Sequence, residues 1–209
     1  MELRVNPTRM VLLRLRKRLV LARRGHKLLK DKLEGLVQEF MPIVEEYGKV
    51  RERVDVELPA SLAQFVIAEA SSGAKEVATA IEECETKLDI EFKRKLVMNI
   101  PMPTLELKGF EIKSSYSMVS TSSDFDRASA SLREVFPKLV RLAELEETVL
   151  RLAAEIEKTR RRVNALEYVL VPQLESTIKA ISSKLDEGER SSRARLMKIK
   201  DMLRTAAEG

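Results

Sequence analysis

Leu142, Leu145, Val149, Leu152, Ile156, Val163, Leu166 and Leu170 mostly follow one another at alternating intervals of three and four residues, and Thr159 is the one polar member of the row. The row continues through Leu174, Ile178, Ile181 and Leu185, then Leu196, Ile199 and Leu203. An apolar repeat of 3.5 residues held this long predicts one strand of a coiled coil, because it keeps a single helical stripe against a partner. At 1.5 Å per residue, eighty helical residues would span roughly 120 Å. Such an element is a rod, and the rest of the chain must supply what packs on it.

The partner stripe lies at the other end of the chain. Leu12, Leu15, Leu19, Ala22, His26, Leu29, Leu33, Leu36, Phe40, Ile43, Tyr47, Val50 and Val54 keep the same alternation. Asn6-Pro7 reads as the helix start, with Asn as cap and Pro at the first helical position. Leu58-Pro59 reads as its end, since the residue before Pro is pushed out of the α region, and Pro42 as a local kink. Laid antiparallel, the two stripes match layer for layer: Val54 with Ile156, Tyr47 with Val163, Phe40 with Leu170, Leu36 with Leu174 and Leu33 with Ile178. Leu29 then meets Ile181, His26 meets Leu185, Leu15 meets Leu196 and Leu12 meets Ile199. Whole-heptad shifts match apolar layers equally well, so flanking charges choose the register. This one pairs Arg23 with Asp186 and Arg51 with Glu157, though it sets Lys30 against Lys179, whereas a heptad shift sets Arg23 against Lys179 or Arg193. In this register Ala22 faces Gly188 and Leu19 faces Ser192, so packing thins towards the tip. From Leu166 through Leu170 and Leu174 to Ile178 the step is four throughout, which locally unwinds a left-handed supercoil. Pro172 falls in that stretch, and the rod is expected to bend or straighten there.

The middle of the chain changes character. Residues 60–98 read as short helices with a break at Ser71-Ser72-Gly73, and Asn99-Ile100-Pro101-Met102-Pro103 excludes helix. Leu105, Leu107, Phe110 and Ile112 alternate with polar residues about Lys108-Gly109, which predicts a short β-hairpin turning there. Ser114 to Ser123 reads as a loop, Ser123 with Asp126 as a variant capping box, and Pro137 as the division between a short helix and the rod. The expected fold is therefore all-α. A long antiparallel two-helix coiled coil forms from an N-terminal helix (1–58) and a C-terminal helix (138–209), around a central region (59–137) of short helices and a small hairpin.

Composition agrees with a rod. There is no Trp, 4% of residues are aromatic, 34% are charged, and Gly and Pro number seven each among 209 residues, a profile of helical coiled coil rather than of a globular enzyme. Cys84 is the single cysteine, so no internal disulfide forms and a reducing interior is the default compartment. No apolar run is long enough to span a membrane and no signal-peptide core is seen. A cytoplasmic chain that meets membranes only through partners is expected. The net charge is +5, concentrated in residues 1–32, in Arg160-Arg161-Arg162 and in Arg190, Arg193, Arg195, Lys198 and Lys200. Such clusters suit nucleic acid, acidic lipid or an acidic protein cavity, or form a solvated helix face.

Candidate chemistry is sparse. His26 is the only histidine, which excludes a His-pair metal site, makes a Ser-His-Asp device improbable, and leaves a core or interface role for a residue on the apolar stripe. There is no phosphate-cradling Gly-rich loop, CxxC or HExxH. Asp186, Glu187 and Glu189 sit among basic residues and read as a solvated face. Tyr47, Tyr116 and Tyr168 are too scattered for a stacking platform. No catalytic group, cofactor or metal ligand is expected.

Three blocks carry a resemblance: Asn6-Pro7-Thr8-Arg9, Gly25-His26-Lys27-Leu28-Leu29-Lys30-Asp31-Lys32 and Arg161-Arg162-Val163-Asn164-Ala165-Leu166-Glu167. With Pro172, Leu174, Thr177-Ile178, Glu189-Arg190 and Lys198-Ile199-Lys200, the chain resembles the D subunits of the vacuolar and archaeal-type rotary ATPases. The resemblance implies a non-catalytic central-stalk shaft that couples ATP synthesis or hydrolysis to proton or sodium translocation. It implies as partners the hexamer of catalytic A and regulatory B subunits, the small central-stalk F subunit and a funnel-shaped protein on the membrane rotor ring. On that view Arg9, Arg14, Arg161, Arg162, Arg190 and Arg193 are candidate hexamer contacts, and Leu105, Leu107, Phe110 and Ile112 a candidate regulatory hairpin. Gly188, Ser191, Ser192 and Ala194 are smaller than the family's tail residues. A general coiled-coil tether and a basic rod for duplex nucleic acid are the rival readings.

Overall fold

The computed structural model describes residues 6–113, 116 and 121–207. In chain order it holds α1 (Arg9–Ser72), α2 (Ala74–Glu83), β1 (Glu85–Val97), β2 (Ile100–Lys113), α3 (Ser123–Asn164), a π-helical turn (Ala165–Leu170) and α4 (Val171–Ala207). Long N- and C-terminal helices and one small antiparallel hairpin make up the architecture, as the apolar pattern predicts. The expected loop at 114–123 falls mostly outside the described residues. The chain divides into two units, 1–34 with 157–209 and 35–156.

In the first unit the start of α1 runs antiparallel to the C-terminal helices. Thr8, rather than Asn6, caps α1: its carbonyl accepts from Leu12 N–H at 3.0 Å and its hydroxyl from Val11 N–H at 3.3 Å, which satisfies otherwise orphaned donors. Leu15, Ala22, Leu174 and Ile181 form the buried core, with Val11, Leu12, Leu19, Leu166, Leu170, Val171, Ile178 and Leu185 packed about it. Thr177 is also buried, and its hydroxyl donates to the Gln173 carbonyl at 2.7 Å, so a polar residue enters the stripe without a stranded donor.

The ion pairs fix the register. Arg9 meets Glu189 and Arg23 meets Glu175 at 2.6 Å, two heptads apart on each helix. This corrects the expected alignment by about two heptads. Leu15 packs with Ile181 and not Leu196, Leu12 lies in the cluster of Leu185 and not Ile199, and Arg23 takes Glu175 in place of Asp186. Ala22 faces Leu174 rather than Gly188, so packing does not thin at that level. Because Arg9 opposite Glu189 is where α1 begins, the end of α4 extends beyond the described helical residues of α1. Leu196 and Ile199 are accordingly 66% and 48% exposed.

In the second unit α1 and α3 pair again. Leu36, Met102 and Leu152 form a buried core with Phe40, Ile43, Val97, Ile100 and Ile156 around it. Ile156 thus joins Leu36, not Val54. Arg141 reaches Glu46 at 2.6 Å and Lys138 reaches Glu57. Arg51 turns to the Tyr47 hydroxyl at 2.5 Å and to Asp55 at 3.7 Å, while Glu157 bonds Arg161 at 3.3 Å, so the expected Arg51–Glu157 pair does not form.

Three prolines fail to stop helices. Pro42 and Pro59 lie inside α1 and Pro137 inside α3, all on exposed or partly exposed positions where water can receive the freed carbonyl. The expected end at Leu58 and the expected division at Pro137 are thus corrected. Buried Ala68, packed with Val77, Ala80 and Phe125, shows why: tertiary packing beyond Pro59 outweighs the local cost of about 3 kcal/mol. The break at Ser72-Gly73 does occur. Gly73 has φ 98° and ψ 142°, a region essentially confined to glycine. Ser72 Oγ accepts from Ser122 N–H at 2.9 Å and Ser71 Oγ donates to Asp124 at 3.2 Å, tying the end of α1 to the start of α3. Beneath them Ala68, Val77, Ala80, Tyr116 and Phe125 form a second core, in which Tyr116 and Phe125 meet edge-to-face at 4.9 Å. The Tyr116 hydroxyl donates to Asp126, which gives that carboxylate a partner other than the expected Ser123 cap.

The hairpin is longer than its sequence signature and turns elsewhere. β1 pairs antiparallel with β2 from Glu85↔Lys113 to Val97↔Ile100, and the turn is Met98-Asn99. Leu105, Leu107, Phe110 and Ile112 all lie in β2, opposite Phe92, Ile90, Leu88 and Thr86. Lys108-Gly109 is a bulge: Asp89 pairs Gly109 while Ile90 pairs Leu107, leaving Lys108 as the extra residue. Residues 85–97, read as helical, form a strand because Leu88, Ile90 and Phe92 alternate with charged residues, a period of two that suits a strand.

Candidate interaction surfaces

Among the described residues, apolar and charged side chains share the surface at both groups of candidate contacts. The first is the end of α4, where Leu196, Met197, Ile199, Met202 and Leu203 are exposed among Arg190, Arg193, Arg195 and Lys198. Arg190 and Arg193 reach back to Glu187 and Glu189, each at 3.8 Å along the same helix, so their charges remain available to a partner. Arg9 shares Glu189, and Arg14 is exposed on the opposite helix. Arg161 and Arg162 are exposed farther along. Asp186, Glu189, Arg190, Arg193, Ala194 and Met197 line an open groove of about 490 Å³.

The second region is the hairpin. α3 grips β2: Phe110 stacks on Phe136 with ring centres 4.3 Å apart, Arg133 donates to the Ile112 carbonyl at 2.9 Å, and Arg151 donates to the Pro101 carbonyl at 2.8 Å. Leu105, Leu107, Phe110 and Ile112 are half-buried as a result. The outward apolar residues are those of β1, which the sequence pattern did not flag: Phe92 is 77% and Leu96 68% exposed. An alternation count through 85–97 would have found them. Phe92, Arg94, Pro101 and Pro103 on the sheet face Glu147 and Arg151 across an open cavity of about 670 Å³.

Charge stiffens the hairpin as well. Lys93 bonds Glu106 at 2.5 Å and Lys108 bonds Glu91 at 2.8 Å. The Lys108 hydrogen bond, more than Lys93, holds the Glu91 carboxyl below its usual range against slight desolvation. The bond to Glu106 raises Lys93 above the usual ammonium range. Neither is poised for proton transfer at neutral pH. Burial raises the Cys84 thiol, which disfavours the nucleophilic thiolate. Among the described residues no group of three or more His, Cys, Asp or Glu side chains is placed to hold a metal. Among the same residues no helix is long and apolar enough to cross a membrane. What these surfaces offer is binding: an apolar-basic helix end and an apolar sheet face with a charged wall.

The sequence family described as the ATP synthase D subunit matches residues 11–201. The chain belongs to that family. Its relatives include the V-type ATP synthase D subunit of Thermoanaerobacter sp. (strain X514), 49% identical over 201 residues that cover 95% of this chain and 96% of the relative. The V-type ATP synthase D subunit of Fusobacterium nucleatum is 44% identical over 209 residues, 99% of each chain. The A-type ATP synthase D subunit of Thermococcus sibiricus is 41% identical over 210 residues, covering 99% of this chain and 98% of that one. The similarity thus runs through the paired helices, the hairpin and most of α4. The end of α4 falls within the family match up to Asp201.

Proposed function

We propose that this chain is the non-catalytic central shaft of a V/A-type rotary ATPase, linking ATP turnover in a catalytic hexamer to proton or sodium movement through a membrane ring. The observation that carries the reading is the near full-length match to the D subunits of V- and A-type ATP synthases by a chain whose two ends form an antiparallel helix pair. A shaft needs continuous packed layers and an end that can enter a bearing. The apolar and basic end of α4 suits a bearing formed by the A and B subunits. The hairpin and the rest of the second unit suit the F subunit and the funnel-shaped protein on the rotor ring. The chain stays at the membrane only through that complex, on its cytoplasmic side, and needs no cofactor of its own.

The test is reconstitution with purified A, B and F subunits. The shaft reading expects one copy of this chain per hexamer, faster nucleotide hydrolysis than without it, and no hydrolysis by the chain alone. A chain that stays apart from the hexamer while binding duplex DNA with steep salt dependence, or anionic vesicles directly, would replace this reading with one of its rivals.

A further inference from the structure

The helix between α3 and α4 changes pitch at Ala165–Leu170, where Val171 N–H donates to the Leu166 carbonyl five residues back. Pro172 follows at once, but proline is not a sufficient cause: Pro42, Pro59 and Pro137 sit inside uninterrupted α-helix. What distinguishes this place is the phase of the apolar stripe. Through Leu152, Ile156, Thr159, Val163, Leu166 and Leu170 the steps alternate between four and three, and the next step to Leu174 is again four where three is due. The stripe holds one residue too many. A ring closed by an i→i+5 bond contains one residue more than an α-helical ring, so a single π turn absorbs the surplus. Downstream, buried Leu174, Thr177 and Ile181 face α1. An unbroken α-helix would keep Thr177 inward but turn Gln173, Ala180 and Lys184 in, in place of Leu174, Ile181 and Leu185.

The opposing helix is small at this level. Ala22 is buried in one cluster with Leu174, directly after the π turn, and a Cβ added at Gly25 would meet nothing within 4 Å. His26 Nε2 lies 3.3 Å from Glu167 Oε2, a polar contact between the π turn and α1. Pro172 has no N–H, so a carbonyl one turn back loses its main-chain donor.

We infer that Ala165–Leu170 is a one-residue phase insert in the coiled coil and the point at which this helix pair opens most readily, with the His26–Glu167 contact as its tether. The inference concerns the free chain and stands apart from the shaft reading; within that reading it marks where the shaft yields to twist.

Amide hydrogen exchange on the full-length chain, corrected for intrinsic rates, tests it. Amides 167–173 are expected to exchange at least about tenfold faster than those of 156–163 and 177–183. Deleting the exposed Val169 removes the surplus residue, and protection there should rise to that of its neighbours while a disulfide between Cys residues placed at Leu15 and Ile181 (Cys84→Ser background) still forms. Pro172→Ala should leave the fast exchange in place, and His26→Ala should quicken it. Uniform protection in the unaltered chain overturns the inference. So does slowed exchange in Pro172→Ala, which would assign the turn to proline, or a Val169 deletion that unfolds the chain or abolishes the disulfide.

Discussion

Single glycines show how this chain trades helix stability against geometry, and in opposite senses. At Gly25 the backbone is helical and a Cβ meets nothing within 4 Å. Gly25→Ala is therefore expected to stabilise the chain by about 0.5–1 kcal/mol through helix propensity alone, read as a rise in thermal midpoint of a few degrees. At Gly73 the backbone has φ 98°, and a Cβ would come 2.4 Å from Glu76 Oε2. Glu76 is flexible and can move away, but the dihedral strain cannot be relieved, so Gly73→Ala is expected to cost about 1–3 kcal/mol. Gly35 is intermediate, since its Cβ would meet the Met98 methyl at 2.9 Å, where the hairpin turn lies on α1. Met98 and Asn99 both have positive φ, 46° and 70°, the two-residue geometry that favours Asn-Gly. Met-Asn carries that signal weakly, so the sequence points instead to Lys108-Gly109, which is the bulge.

At the scale of elements, helix pairing was legible and its register was not. An apolar repeat of seven residues matches itself after any whole-heptad shift, and exposed flanking pairs contribute only tenths of a kcal/mol each. The two-heptad correction leaves α4 overhanging, with Leu196 and Ile199 in water. Disulfide formation tests the register in solution: in a Cys84→Ser background, Cys at Leu15 and Ile181, which share the buried core, should bridge within one chain, and Cys at Leu15 and Leu196 should not. A bridge in the second pair alone would restore the sequence-based alignment. In the hairpin, stability depends on two oppositely shifted groups. Glu91, lowered chiefly by Lys108, contributes above the ordinary carboxylate range and loses that contribution as pH falls through its lowered value. Lys93, raised chiefly by Glu106, contributes below the ordinary ammonium range and loses it as pH rises through its raised value. Cross-strand NOEs between β1 and β2 should therefore hold steady through neutral pH and weaken in strong acid before the helical signal changes. On the outer strand, Phe92→Ser with Leu96→Ser removes exposed apolar surface, so the thermal midpoint should stay within about a degree or two. Binding to the F subunit, measured by calorimetry, should weaken if the sheet face is its contact.

For the whole molecule the proposed shaft requires that charge act on partners rather than on the fold. Arg161 and Arg162 are exposed, and Arg161 bonds to Glu157 of its own helix, at 3.3 Å with about three-quarters of its side chain in solvent. Consecutive residues on an α-helix point 100° apart, so Arg160, Arg161 and Arg162 cannot all face α1 and instead spread charge around the rod. Such charges contribute little to an isolated chain. Arg161→Gln with Arg162→Gln should leave the midpoint of the isolated chain nearly unchanged. If the arginines form a belt that passes acidic loops of the hexamer, hydrolysis by the assembled complex should fall severalfold at low salt. The deficit should narrow as salt rises, because screening over about 10 Å at 0.1 M weakens the native contact as well. Equal rates at low salt in a complex that still assembles would reduce the cluster to a solvated face. Truncation after Arg190 provides the contrast. It removes the overhang but none of the packed layers from Leu15 to Leu185, so it should keep the midpoint of the isolated chain and lower hydrolysis at every salt concentration. The difference between the two salt profiles then separates a charge belt along the shaft from an apolar fit at its end.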